Sequence, residues 1–173
     1  PMLAVGAKYP KVAFVTITGA AQGSNVTALD YAAHEMGYVA GVVATSMTKS
    51  GKIGFITGMT QPSVIRIAEA YKLAAEAAKP GTQVSVIYTN SWTDVQKASE
   101  AAVAMVQDGV DVLFHDVGPG GPAVIQTAKE NGVWAIGFGE GDVETAPDAV
   151  LTSPIPDMSK LMLAVANQVK DGT

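Results

Sequence analysis

Lys52-Ile-Gly-Phe-Ile-Thr57, then Gly58-Met-Thr-Gln-Pro62, then a run carrying Val64, Ile67, Ala68, Tyr71 and Ala75: this stretch decides the fold. Its first six residues are nearly continuous in apolar character, the pattern of a strand buried on both faces. Pro62 suits the first turn of a helix, where its missing N–H has no intrahelical partner to lose. The apolar residues after it recur at helical spacing, and Lys79-Pro80-Gly81 stops the helix.

The same strand–turn–helix unit recurs on both sides. Downstream, Val84–Tyr88 reads as a strand, and Asn90-Ser-Trp-Thr-Asp94 as a turn where Thr93 or Asp94 caps a helix ending near Asp108-Gly109. Val110–Phe114 is the next strand, and Gly118-Pro-Gly-Gly-Pro122 leads into a helix bearing Val124, Ile125 and Ala128, closed by Asn131-Gly132. Trp134–Phe138 is a strand followed by Gly139-Glu-Gly-Asp142. Val150–Thr152 is a short strand followed by Ser153-Pro-Ile-Pro-Asp157, and Met158 to Lys170 reads as a last helix. Upstream, Val12–Ile17 reads as a strand ended by Gly19, and Thr27 to about Met47 as a helix with Leu29, Ala33, Met36, Ala40 and Val43 near one face.

Strands alternating with single helices require right-handed crossovers, hence an α/β fold with a parallel sheet between two helical layers. In such folds ligands bind beyond the carboxyl ends of the strands. Topology therefore selects five loops: 58–62, 89–94, 115–122, 139–142 and 153–157.

Composition narrows the function. The 173 residues include no cysteine, which removes disulfides, thiolate metal sites and cysteine nucleophiles. His34 and His115 are the only histidines, too few for an ordinary zinc site, so neither a metal nor a cofactor is expected. A net charge of −5 without a Lys/Arg cluster argues against nucleic acid as a partner. No secretion signal is visible, and the opening Pro1-Met2-Leu3 reads as the middle of a longer chain.

Within the five loops, Trp92 is placed to stack on a flat heterocycle, with Asn90 and Ser91 bonding its edge. The plain alternative is an indole covering the sheet end. His115-Asp116 is the only adjacent imidazole–carboxylate pair. No nucleophile accompanies it, so a structural pair or a ligand contact is expected and catalysis is not. Glu140 and Asp142 are candidate acceptors for ribose hydroxyls or a purine amino group. Gly118, Gly139 and Met59 complete the candidate ligand set by their place in the loops. Gly118-Pro-Gly-Gly-Pro-Ala123 also fits a Gly-x-Gly-x-x-Ala dinucleotide pattern, with Glu140 about twenty residues on. The alternative it raises is an NAD(P)-binding oxidoreductase domain. Against it, Pro119 and Pro122 delete two N–H donors that a pyrophosphate needs, and the motif follows a late strand.

His34-Glu35-Met-Gly-Tyr38-Val-Ala-Gly41, Met47-Thr-Lys-Ser-Gly-Lys-Ile-Gly-Phe55, Asn90-Ser-Trp-Thr-Asp94, Asp108–His115, Ala135-Ile-Gly137 and Leu151-Thr-Ser153 stand in an order and spacing that resembles the basic membrane protein family of bacterial ABC-transporter substrate-binding lipoproteins. The resemblance implies a type I periplasmic-binding fold whose two lobes close over a purine base or nucleoside, and ABC permease subunits as partners. It also implies a place in the periplasm or on the outer face of the membrane. Residues 1–45 would be the remnant of an N-terminal lobe with its crossover helix, and 46–173 the C-terminal ligand-binding lobe. A sensor domain of the same fold is a further alternative. Two departures favour a free base: Gly139 stands where nucleoside-binding members carry a ribose-binding aspartate, and Pro154-Ile-Pro156 where a lysine is usual. Strand 12–17, without sheet neighbours, would leave an apolar edge through which the chain self-associates.

Overall fold

The computed structural model describes residues 2–18 and 21–171. Gly19, expected to end the first strand, lies outside them. The elements are α1 (Met2–Gly6), β1 (Phe14–Ile17), β2 (Val26–Leu29), α2 (Ala33–Met47), β3 (Lys52–Thr57), α3 (Pro62–Ala78), β4 (Gln83–Tyr88), α4 (Val95–Gln107), β5 (Val112–Asp116), α5 (Gly121–Glu130), β6 (Trp134–Ile136), α6 (Asp142–Thr145), β7 (Val150–Thr152) and α7 (Met158–Asp171). They form two compact units, Pro1–Ala32 with Pro156–Thr173, and Ala33–Ile155.

In the larger unit five parallel strands lie in the order β4-β3-β5-β6-β7. Side chains alternate across a strand, so the register assigns each residue to a face. Ile56 pairs with His115, and Ile56 and Leu113 pack with Ala98, Ala102 and Met105 of α4 and Val124 and Ile125 of α5. On the other face Phe55 stacks on Phe114 at 4.6 Å between ring centroids, and Tyr71 of α3 tilts against both. Both faces are therefore covered, as the apolar runs predict.

Local chemistry starts the helices where expected. Pro62 opens α3, and the Asp94 carboxylate caps α4 by accepting from the Lys97 N–H at 3.1 Å. At the amino end of the sheet, Asp111 accepts from the Lys49 and Ser50 N–H groups, each at 2.8 Å, and from the Thr48 hydroxyl. Burial alone would push this carboxyl up. The bonds from Thr48, Ser50 and Lys49 outweigh it and hold Asp111 below the ordinary carboxylate value.

Two expectations fail in the smaller unit. Thr27 to Leu29 is strand, not helix: β2 pairs in parallel with β1, from Phe14 opposite Val26 to Ile17 opposite Leu29. The helix begins only at Ala33, and β1 does not lack a sheet neighbour. Asn25 fixes this unit by donating to the carbonyls of Gly6, Tyr9 and Val12. The boundary between the two units falls after Ala32. The physical reason is α2, whose buried Ala33, Met36, Ala40 and Ala44 pack on α3.

Candidate functional site

The five loops chosen by topology all leave the carboxyl edge of the parallel sheet, but the residues within them play unequal parts. The indole of Trp92 lies half-buried against Gly58, the first residue after β3. A β-carbon on Gly58 would sit 2.6 Å from Cδ2 of that ring, so the absence of a side chain there lets the indole lie on the strand end. Gly118 is equally close to the loop: a β-carbon there would meet the Trp92 carbonyl at 3.0 Å. Trp92 thus borders the 58–62 and 115–122 loops instead of entering the core.

Its neighbours in the turn are divided. Ser91 is turned inward, its Oγ accepting from the N–H groups of Thr93 and Asp94 at 3.2 and 3.1 Å, which shapes the start of α4. Asn90 is exposed and adopts a left-handed φ of 56°, a conformation asparagine tolerates better than most residues. Met59 is 40% exposed at the rim.

His115 and Asp116 are adjacent in sequence but face opposite sides of the sheet. His115, 3% exposed, points toward the α5 side with its ring against Gly121. Its Nε2 faces Oδ2 of Asp142 at 3.4 Å, an ion-pair distance without the alignment of a hydrogen bond, so neither ring nitrogen has a hydrogen-bond partner among the described residues. Asp142 Oδ2 also accepts from the Phe138 N–H at 2.9 Å. Burial pushes the Asp142 carboxyl up, but the imidazole and the Phe138 N–H outweigh it and keep the value low. Asp142 is therefore an anchor of its own loop, turned inward. Glu140 stands exposed at the tip, and the Gly139 N–H donates to the Pro154 carbonyl at 3.0 Å, tying 139–142 to 153–157.

Asp116 has the contrary environment. It makes no side-chain hydrogen bond among the described residues, and burial pushes its carboxyl up to about 6 against the pull of His115. Directly across the ladder sits Thr57, fully buried, its Oγ1 without a partner. Ser153 Oγ is likewise buried and unpartnered beside Gly137. Sequence reasoning missed Thr57 and Ser153. The available signal was a hydroxyl closing an otherwise apolar strand, and another opening a strand-end loop.

Chemically, this edge offers an aromatic face, a half-hidden carboxyl and several hydroxyl and imidazole groups awaiting partners. No group of three His, Asp or Glu suited to a metal ion occurs among the described residues. Nor does any described helix have the length and apolarity to cross a membrane.

The chain is 33% identical over its whole length to a purine-binding protein of Brucella abortus, of which it covers 49%. It is 32% identical, over 94% of its length, to an ABC transporter nucleoside-binding protein of Lactococcus lactis subsp. cremoris, of which it covers 52%. The chain thus spans about half the length of these relatives. Among solved structures, a transcriptional activator of the comK gene from Bacillus halodurans superposes with a TM-score of 0.81 at 30% identity, covering 98% of this chain and 58% of that one. Residues 2–173 match the family described as ABC transporter substrate-binding protein, PnrA-like. With its parallel sheet between helical layers, as in periplasmic-binding-protein-like solute-binding proteins, the chain belongs to that substrate-binding family.

Proposed function

We propose that this chain supplies one ligand-capturing lobe of the extracytoplasmic solute-binding component of an ABC importer, and that its ligand is a purine base or nucleoside. One observation carries the proposal: the Trp92 indole lies at the carboxyl edge of the sheet against Gly58, the edge where Thr57, His115 and Ser153 hold buried polar atoms without a hydrogen-bond partner among the described residues. An aromatic face beside unpaired donors and acceptors suits a flat, polar-edged heterocycle. The purine-binding and nucleoside-binding relatives support the ligand class. Capture is passive, without bond-making, as suits a substrate-binding family. A second lobe closes over the ligand, and membrane permease subunits sense closure. The 118–123 turn does not favour a dinucleotide, since Pro119 and Pro122 stand in the first turns where phosphate-binding N–H groups would be needed.

Isothermal titration of the full-length protein with adenine, guanine, hypoxanthine and their nucleosides tests this. Micromolar or tighter binding is expected, weakened at least about fivefold by Trp92→Ala, since base–aromatic stacking is worth about 1–3 kcal/mol. A folded protein giving no heat with any of these ligands removes the purine assignment. The likeness to a transcriptional activator supports a second use of the same lobe, as a ligand sensor. Uptake of labelled purine by vesicles carrying the permease separates the two, because a sensor leaves uptake unchanged.

A further inference from the structure

We infer that His115 is a positioning residue: it acts through Asp142 to hold the 139–141 turn at the edge where the ligand is captured. The inference rests on the proposed function above and names what sets the geometry of one of its loops. In register, Ile87 of β4, Ile56 of β3 and His115 of β5 form one row, and the pairing of Phe114 with Ile136 places Gly137 next along it. An imidazole only 3% exposed thus stands beside two isoleucines, with neither ring nitrogen hydrogen-bonded among the described residues. A leucine would cost the fold less there.

The packing nevertheless makes room for the imidazole and its carboxylate on two sides. A β-carbon on Gly121, at the start of α5, would lie 2.5 Å from Cε1 of the ring. A β-carbon on Gly137 would lie 2.5 Å from Cβ of Asp142 and collide with Oγ of Ser153. Between these two gaps, His115 Nε2 faces Asp142 Oδ2 at 3.4 Å. The same Oδ2 accepts from the Phe138 N–H at 2.9 Å, so Asp142 joins β5 to the base of the turn. Beyond that base, Gly139 and Gly141 adopt left-handed φ angles of 90° and 93°, and a β-carbon on either would meet nothing within 4 Å. Glu140 between them is exposed. The turn therefore takes its place from its base, through Asp142 and through the Gly139 N–H on the Pro154 carbonyl. A turn fixed in advance loses less freedom when a ligand orders it, and in this way a side chain that touches no ligand raises affinity.

The full-length protein is prepared as wild type, His115→Leu, His115→Gln, Asp142→Asn and Trp92→Ala, and titrated with adenine, guanine, hypoxanthine and their nucleosides. His115→Leu should melt at or above the wild-type temperature, yet bind the preferred ligand about fivefold or more weakly, the cost of re-ordering about one residue. His115→Gln, which keeps an N–H to face the carboxylate, should stay within about twofold of wild type. Were His115 only structural, affinity would follow the melting temperature instead. Asp142→Asn added to His115→Leu should weaken binding no further than the larger single effect, because the two side chains act as one unit. Amide hydrogen exchange without ligand gives a second readout. In His115→Leu the Phe138 and Gly139 amides should exchange about tenfold faster, while those of Phe55 and Phe114 keep their wild-type rates. If His115→Leu keeps wild-type affinity while Trp92→Ala weakens binding, the positioning role is wrong and purine capture stands. If wild type binds none of the ligands, purine capture falls. Unchanged Phe138 and Gly139 exchange overturns the positioning role in either case.

Discussion

Replacing Asp116 with asparagine should make the protein more stable. An ordinary aspartate ionises near 3.8, whereas burial moves Asp116 to about 6. The folded state thus holds this proton more tightly than the unfolded chain does. Its contribution is fully present below about pH 4 and is lost as pH rises through about 6. A difference of about two pKa units corresponds to about 3 kcal/mol, spent in ionising a carboxyl that has no compensating bond. Asparagine never ionises, though its amide brings a burial cost of its own, so the net gain near neutral pH is about 1–2 kcal/mol. For a chain of this size that raises Tm by roughly 2–6 °C. Thr57 is the register partner on the same face, and the neighbouring His115, on the opposite face, acts on the carboxyl only through its charge. Neither replaces the lost ionisation. Urea melts of both proteins from about pH 4 to about pH 7.5 provide the measurement, with unchanged m-values confirming comparable unfolding. The two curves should nearly coincide in acid and separate as pH rises. If the difference does not grow between about pH 4 and pH 7, Asp116 is hydrated or paired in the folded protein and burial does not govern its ionisation.

Gly58→Ala inserts a β-carbon into the space of the Trp92 ring. In a Trp134→Phe background, which leaves one tryptophan, emission should shift to the red and purine affinity fall at least tenfold; unchanged emission refutes the contact. Asp111→Asn removes the acceptor shared by Thr48, Lys49 and Ser50. Charge-assisted bonds of this kind suggest a loss of about 2 kcal/mol near neutral pH. Because the folded state holds Asp111 below its ordinary value, that stabilisation is present above about pH 4 and disappears as acid protonates the carboxylate. An acid titration of both proteins should therefore bring their stabilities together from the opposite direction to Asp116→Asn.

The larger unit was legible because its strands are buried on both faces and its helices begin at residues with mechanical reasons to be there. Pro62 can occupy only the first turn, and Asp94 is followed three residues on by the N–H it caps. The smaller unit was not legible in the same way. Val26-Thr-Ala-Leu29 is too short to show a period of its own and runs into the alanine-rich α2. Only pairing with Phe14–Ile17 makes it a strand, and that contact is tertiary. At the site, topology identified the loops but not the direction of side chains within them. Asp142 and Glu140 look equivalent in a glycine-flanked acidic turn, yet one is drawn in by the Phe138 N–H and the other is exposed. His115 and Asp116 look like a pair, but strand alternation sends them to opposite faces. Thr57 was hidden by its position, since the last residue of an apolar strand reads as core.

The two aspartates of β5 and its approach stand in opposite electrostatic settings at the two edges of the sheet. Asp111 precedes the strand at the amino edge, receives three hydrogen bonds and is held low. Asp116 ends the same strand at the carboxyl edge, receives none among the described residues and is pushed up. Five residues apart, the same side chain is fully served at one end and left wanting at the other. A strand shaped for stability alone would place an apolar residue where Asp116 stands, as it does at Val112, Leu113 and Phe114. Unpartnered Thr57, His115 and Ser153 at the strand ends and their loops repeat the pattern on both sides of the sheet. If a ligand supplies the bond that Asp116 lacks, binding should raise the melting temperature of the wild type more than that of Asp116→Asn, which has less to recover.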